Sequence, residues 1–162
     1  MKHLGKLAIA MIFVVVLCGA ASIASKAAPV IDDSKKPSYL FSMSAASGSF
    51  DQGELTLNGV PLVVYFTDRP YRKAGHLSLE EFAKLWKKDA KKQADNPPNA
   101  ELAIYDQDGA TQAVAILSQP KVGKNEISYT VKIIGGNISK TFGHATLFVD
   151  TLLSPHFIGG ID

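Results

Sequence analysis

Ile127-Ser128-Tyr129-Thr130-Val131-Lys132-Ile133 alternates apolar and polar side chains without a break. Successive side chains of an extended strand point to opposite faces. This period of two therefore puts Ile127, Tyr129, Val131 and Ile133 on a dry face and Ser128, Thr130 and Lys132 on a wet one. A sheet with one solvated face is the mark of antiparallel pairing. Working outward, Glu101 to Tyr105 and Thr111 to Ser118 flank Asp106-Gln107-Asp108-Gly109, which predicts a hairpin. Glu54 to Asn58 presents Leu55 and Leu57 on one face, and Leu62 to Thr67 is a continuous apolar and aromatic run. Asn58-Gly59 between them predicts a second hairpin, because both residues tolerate the positive φ that a tight turn requires. Tyr39 to Ser47 is expected as the first strand, and Ala145 to Thr151, after a turn at Gly135-Gly136-Asn137, as the last.

One stretch changes period. Ser78-Leu79-Glu80-Glu81 has the spacing of a capping box, in which serine and glutamate satisfy the backbone donors of a helix start. Leu79, Phe82, Ala83, Trp86 and Ala90 follow at helical spacing on one face, while Lys84, Lys87, Lys88, Lys91 and Lys92 fall largely elsewhere. Asp95-Asn96-Pro97-Pro98 stops the pattern. The sequence thus predicts one amphipathic helix, Leu79 to about Lys92, packed on a sheet through Phe82 and Trp86. The expected class is mainly β (α+β), an antiparallel β-sandwich or curved sheet carrying one amphipathic helix. No internal repeat is present.

The first residues bear on compartment. Lys2, His3 and Lys6 precede an apolar run from Leu7 to Ala21, and Ser22-Ile23-Ala24 or Ser25-Lys26-Ala27 supplies the small-x-small pattern of signal cleavage. The run is about 15 residues, short of the roughly 20 that span a bilayer, so a signal peptide over 1–24 is expected; an uncleaved anchor is the alternative. Residues 25–37 read as a flexible leader, 38–151 as a single β-rich domain, and 152–162 as a C-terminal extension. That extension, Leu152-Leu153-Ser154-Pro155-His156-Phe157-Ile158 onward, is apolar enough to dock on the domain or on a partner. Cys18 is preceded by Leu17 where lipoprotein processing needs a small residue, so lipid attachment is not expected. After cleavage no cysteine remains to form a disulfide, and stability must come from burial. No membrane span is expected in the processed chain, and the location is periplasmic or secreted. The whole sequence has 17 basic and 15 acidic residues, and loss of Lys2 and Lys6 balances them. That balance argues against nucleic acid as a partner.

Asp68, Arg69, Arg72 and His76 form the densest chemical cluster, between a buried strand and a capped helix. Such connections collect binding groups, and guanidinium forks suit carboxylate or phosphate. The simpler reading has Asp68 accepting backbone or arginine hydrogen bonds while Pro70 and Gly75 shape the loop. His76, His144 and His156, with Asp68 or Asp150, lack local metal-ligand spacing, so no metal and no cofactor is expected. No serine lies in Gly-x-Ser-x-Gly, and Glu80 and Glu81 suit the positive end of a helix, so no catalytic residue is assigned. Asn137-Ile138-Ser139 matches a glycosylation sequon, which in a bacterial chain would be without consequence.

The block Phe66-Thr67-Asp68-Arg69-Pro70-Tyr71-Arg72-Lys73-Ala74-Gly75-His76-Leu77-Ser78, running into Glu80-Glu81-Phe82, and the later Asn96-Pro97-Pro98-Asn99-Ala100, resemble a family of exported bacterial proteins of unknown function. Ala145-Thr146-Leu147-Phe148-Val149-Asp150 is similar to theirs as well. The resemblance implies a signal-bearing single-domain bacterial protein and transfers no catalytic residue. Three functions are then in view. The first is a non-catalytic binding or structural component of the cell envelope, with an envelope protein or small ligand as partner. The second is a small hydrolase or metal-dependent enzyme using Asp68, Arg72 and His76. The third is an envelope interaction protein using the lysine-rich helix face. Intact-mass measurement of exported material is expected to show loss of roughly the first 24 to 27 residues, and a lipidated product starting at Cys18 would contradict the reading.

Overall fold

The computed structural model describes residues 37–106 and 109–151. The expected signal peptide, nearly all of the leader, Cys18 and the C-terminal extension lie outside the described residues. Ten strands form one antiparallel ladder: β1 Tyr39–Ala45, β2 Ser47–Asp51, β3 Glu54–Asn58, β4 Val63–Thr67, β5 Ala74–Leu77, β6 Asn99–Asp106, β7 Gly109–Gly123, β8 Glu126–Gly136, β9 Thr141–Phe142 and β10 Ala145–Thr151. Two short helices, α1 Leu79–Lys88 and α2 Ala90–Asp95, separate β5 from β6. The protein is thus mainly β, as the alternation at Ile127–Ile133 predicts. Among the described residues no helix is long and apolar enough to cross a membrane.

The spatial order is β5-β4-β1-β10-β6-β7-β8-β3-β2-β9, an open sheet whose edges are the four-residue β5 and the two-residue β9. Short edges leave little unpaired backbone to template another chain. The order also explains the curvature. Only Ala46 separates β1 from β2, yet these strands stand third and ninth in the ladder. Similarly β9 and β10, separated by Gly143 and His144, pair with β2 and β1 respectively. Two nearly continuous strands therefore bend together at Ala46 and His144, and the sheet curls back on itself. Strands that bend from one packing direction to another make such corners. Across the enclosed space the Tyr129 hydroxyl on β8 reaches Met43 Sδ on β1 at 3.6 Å.

Gly48 permits the tightest part of this corner. A Cβ there would run into the Phe142 ring and sit 2.7 Å from the Thr56 carbonyl oxygen, so only glycine lets β2 lie between those neighbours. The Asp106–Gly109 hairpin forms as expected, joining β6 to β7. Asn58-Gly59 does not make one. Gly59 does take a positive φ of 70°, but β3 pairs with β2 and β8 whereas β4 pairs with β1 and β5. The turn chemistry is satisfied while the chain crosses to a different part of the ladder, with the Val60 N–H donating to the Asn125 carbonyl.

The helix begins as its sequence requires. The Glu81 N–H donates to Ser78 Oγ at 3.2 Å and the Ser78 N–H donates to Glu81 Oε2 at 2.8 Å, closing the capping box. The Ser78 backbone donor and hydroxyl hold the Glu81 carboxyl below its usual range. Leu79, Phe82, Leu85 and Trp86 are buried. The expected single helix is instead two, broken at Asp89, whose φ of −103° and ψ of 20° leave the helical region. Beyond the break the stripe rotates: Ala90, expected on the buried face, is exposed, and Gln93 is buried. Phe82 packs edge-on to Phe41 of β1 at 5.2 Å and to Trp86 at 5.8 Å, and Trp86 meets Tyr129 of β8 at 5.9 Å. Helix and sheet thus share one core. On the outer face Leu40, Phe66 and Val114 stay exposed.

Burial raises the Tyr129 phenol well above its ordinary 10.0. Above that pH the unfolded chain loses a proton that the native chain keeps, so stability present at lower pH falls as pH rises. Tyr129→Phe is expected to weaken this alkaline loss in melts above pH 10. At neutral pH it should change stability by less than about 1 kcal/mol, because the hydroxyl has only a weak thioether acceptor.

Candidate functional site

The Asp68 loop and the lysine face of α1 are the two places where the sequence concentrates polar chemistry, and the structure treats them differently. Asp68 turns inward to the backbone: its Oδ1 accepts from the Ser38 N–H at 3.1 Å, and its own N–H donates to the Ser38 carbonyl at 3.3 Å. These bonds staple the exit of β4 to the residue that precedes β1. The Arg72 N–H donates to the Asp68 carbonyl at 3.2 Å, the Arg69–Pro70 peptide is cis, and Arg72 has a φ of 50°. Lys73 and Thr67 close the loop through a 2.7 Å bond from the Lys73 N–H to Thr67 Oγ1. The side chains of Arg69, Arg72 and His76 are exposed.

His76 sits opposite Val64 on the edge strand β5. His144 precedes β10, with its carbonyl accepting from the Tyr105 N–H at 2.8 Å. Three ladder steps separate those strands, about 14 Å sideways. His156 lies outside the described residues. Among the described residues no three His, Cys, Asp or Glu side chains are grouped to hold a metal.

Convergence occurs instead between the helices and the β7–β8 hairpin. β7 continues past Ser118, where the sequence reading ends it, through a bulge. Ser118 pairs with Thr130 and Lys121 with Ser128, so Gln119 and Pro120 together stand opposite Tyr129. Gln119 takes a φ of 50°. A bulge is one of the few places in a sheet for proline, which has no N–H to give the ladder. The bulge meets α1 where Trp86 packs on Tyr129.

Two hollows flank this point. One, of about 340 Å³, is bounded by Trp86, Lys87, Ala90, Gln93, Ala94, Ser118, Gln119 and Pro120. The other, of about 680 Å³, is bounded by Glu80, Ala83, Lys84, Lys87, Pro120, Lys121, Val122, Gly123 and Lys124. They share Lys87 and Pro120, so they adjoin, two hollows of one grooved surface. Its helix side is formed by Glu80, Lys84 and Lys87, spaced three or four residues apart on α1, and by Ala90 and Ala94, four apart on α2. One reach is lined by Trp86, Ala90, Ala94 and Pro120. The other gathers Lys84, Lys87, Lys121 and Lys124 around Glu80, with the Glu126 carboxylate beside Gly123. Lys121 is also held by Glu54 at 3.5 Å, and Glu54 Oε1 accepts from the Ser128 hydroxyl at 3.0 Å.

The sequence reading saw the lysines of α1 but not their partners on the hairpin. The available signal was Pro120 next to Ser118, since a proline inside a strand pattern marks a bulge or edge. What remained invisible was that the bulge faces the helix.

No protein-family model matches the chain, and no curated protein or solved structure matches it either. Asp68→Ala is expected to cost about 1 to 2 kcal/mol in denaturant melts, because it strips an acceptor from the part-buried Ser38 N–H. Arg72→Ala, at an exposed side chain, should change stability by less than about 0.5 kcal/mol. Equal losses in both variants would contradict this assignment.

Proposed function

We propose that this chain is an exported bacterial binding protein, a non-catalytic component of the cell envelope located in the periplasm or secreted, and that its binding site is the groove between α1–α2 and the β7–β8 hairpin. The observation that carries the reading is the convergence of side chains from two distant sequence regions, 80–94 and 118–124, on two adjoining hollows. Binding sites are concave, mostly apolar and furnished with a few convergent polar groups. The signal-like first residues and the resemblance to exported proteins support the location. In the Asp68 loop the carboxylate is engaged with Ser38, and the exposed Arg69, Arg72 and His76 are left as a secondary contact surface.

Affinity capture from an envelope fraction, run in parallel with the parent chain, Lys84→Glu/Lys87→Glu and Arg72→Ala, tests the reading. The expected result is a component retained by the parent and by Arg72→Ala but lost from the lysine variant, with all three proteins melting alike. Retention by the lysine variant and loss from Arg72→Ala would move the site to the Asp68 loop and overturn the proposal.

A further inference from the structure

Charge and apolarity are segregated along the groove, and this narrows what it can hold. From Lys84 to Ala94 the helical wall runs on the order of 15 Å. Its first part is cationic and its second part offers methyl groups and the edge of an indole. Lys84 and Lys87 come from α1, Lys121 from β7 and Lys124 from the hairpin turn, so four ammonium groups rim one end. Glu80 opposes them, Glu54 offsets part of the Lys121 charge, and the Glu126 carboxylate stands beside Gly123 at the same rim, which leaves it cationic by about one charge. The other end has Ala90 and Ala94 on the helix side and Pro120 on the sheet side, with Trp86 at its floor.

Resting on the proposed binding role of this groove, we infer that its ligand is a single-chain anionic amphiphile, with a carboxylate or phosphate head among Lys84, Lys87, Lys121 and Lys124 and an alkyl chain along Trp86, Ala90, Ala94 and Pro120. A small free anion would use the rim and leave the apolar reach in water. A neutral chain would leave the ammonium groups without a counter-charge. An anionic head on an alkyl chain satisfies both ends: the head gains charge-assisted hydrogen bonds and the chain removes apolar surface from water. The head is defined by its negative oxygen atoms, so fatty acids and alkyl phosphates share the same recognition chemistry.

Trp86 is the only tryptophan of the chain and lines the apolar reach, so its emission reports occupancy of the groove directly. Titration of the full chain with dodecanoate or dodecyl phosphate, each below its micellar concentration, is expected to shift Trp86 emission in a saturable manner. Dodecanol and dodecyl maltoside should bind about tenfold or more weakly, and acetate and inorganic phosphate should leave the emission unchanged. Lys84→Gln/Lys124→Gln, at two lysines that do not border the apolar hollow, should weaken dodecanoate about tenfold while leaving the weak response to dodecanol as it was. Equal response to neutral and anionic chains would overturn the inference, as would no response to any chain. Retention of an envelope component in the capture experiment without an amphiphile response would leave the binding role standing and remove the ligand class; loss of both would remove the two together.

Discussion

The contact sequence Phe41–Phe82–Trp86–Tyr129 is the interaction on which the rest of the molecule depends. It joins the third strand of the ladder to the seventh through two side chains of α1, with ring centroids 5.2, 5.8 and 5.9 Å apart. Each such pair contributes about 0.5 to 1.5 kcal/mol beyond the area that it buries. More consequentially, the Tyr129 hydroxyl at the end of this chain of rings meets Met43 Sδ of β1 at 3.6 Å, which needs a curled sheet, because four steps of a flat ladder would hold β1 and β8 about 19 Å apart. The bend at Ala46 supplies the curl, and Gly48 allows the neighbouring strands to approach at the corner. Packing and topology here are one requirement seen from two sides.

The groove is a by-product of the same arrangement. Tyr129 occupies the core opposite Gln119 and Pro120, and these two bulge residues border the hollow beside the helix. Trp86 is therefore shared: one part of the indole packs on Tyr129, and its margin lines the apolar reach. Lys84 and Lys87 fall on the groove side of α1 because they are spaced three apart, while Phe82 and Leu85 face inward. The helix that completes the core thus also builds one wall of the candidate site. This link between packing and binding explains why the two helices need not be long.

Legibility in the sequence followed the range of the interaction. The alternation at Ile127–Ile133, the capping box at Ser78 and the hairpin at Asp106–Gly109 are set within a few residues, and all three form strand, cap and turn as expected, except that Ser128, expected on the wet face, is buried with its hydroxyl on Glu54. The Asn58-Gly59 turn was readable as a turn but not as a hairpin, since strand partners are chosen by the whole ladder. Asp89 ended α1 inside a stretch whose lysine-rich composition continues unbroken, and Gln93 took the buried position in place of Ala90. The Asp68 loop shows the same divide: the acidic residue was visible, whereas its partner Ser38 lies thirty positions away. The groove was least legible because it needs a bulge on one strand to face a stripe on a distant helix.

Trp86 stands at the junction of sheet curvature, helix packing and groove, so its removal tests all three. Trp86→Ala should lower the unfolding free energy by about 3 to 5 kcal/mol in denaturant melts, as expected for a buried aromatic whose cavity cannot collapse. A loss below about 1 kcal/mol would mean that the indole does not bridge Phe82 and Tyr129, and the account of the curled sheet held by α1 would be contradicted.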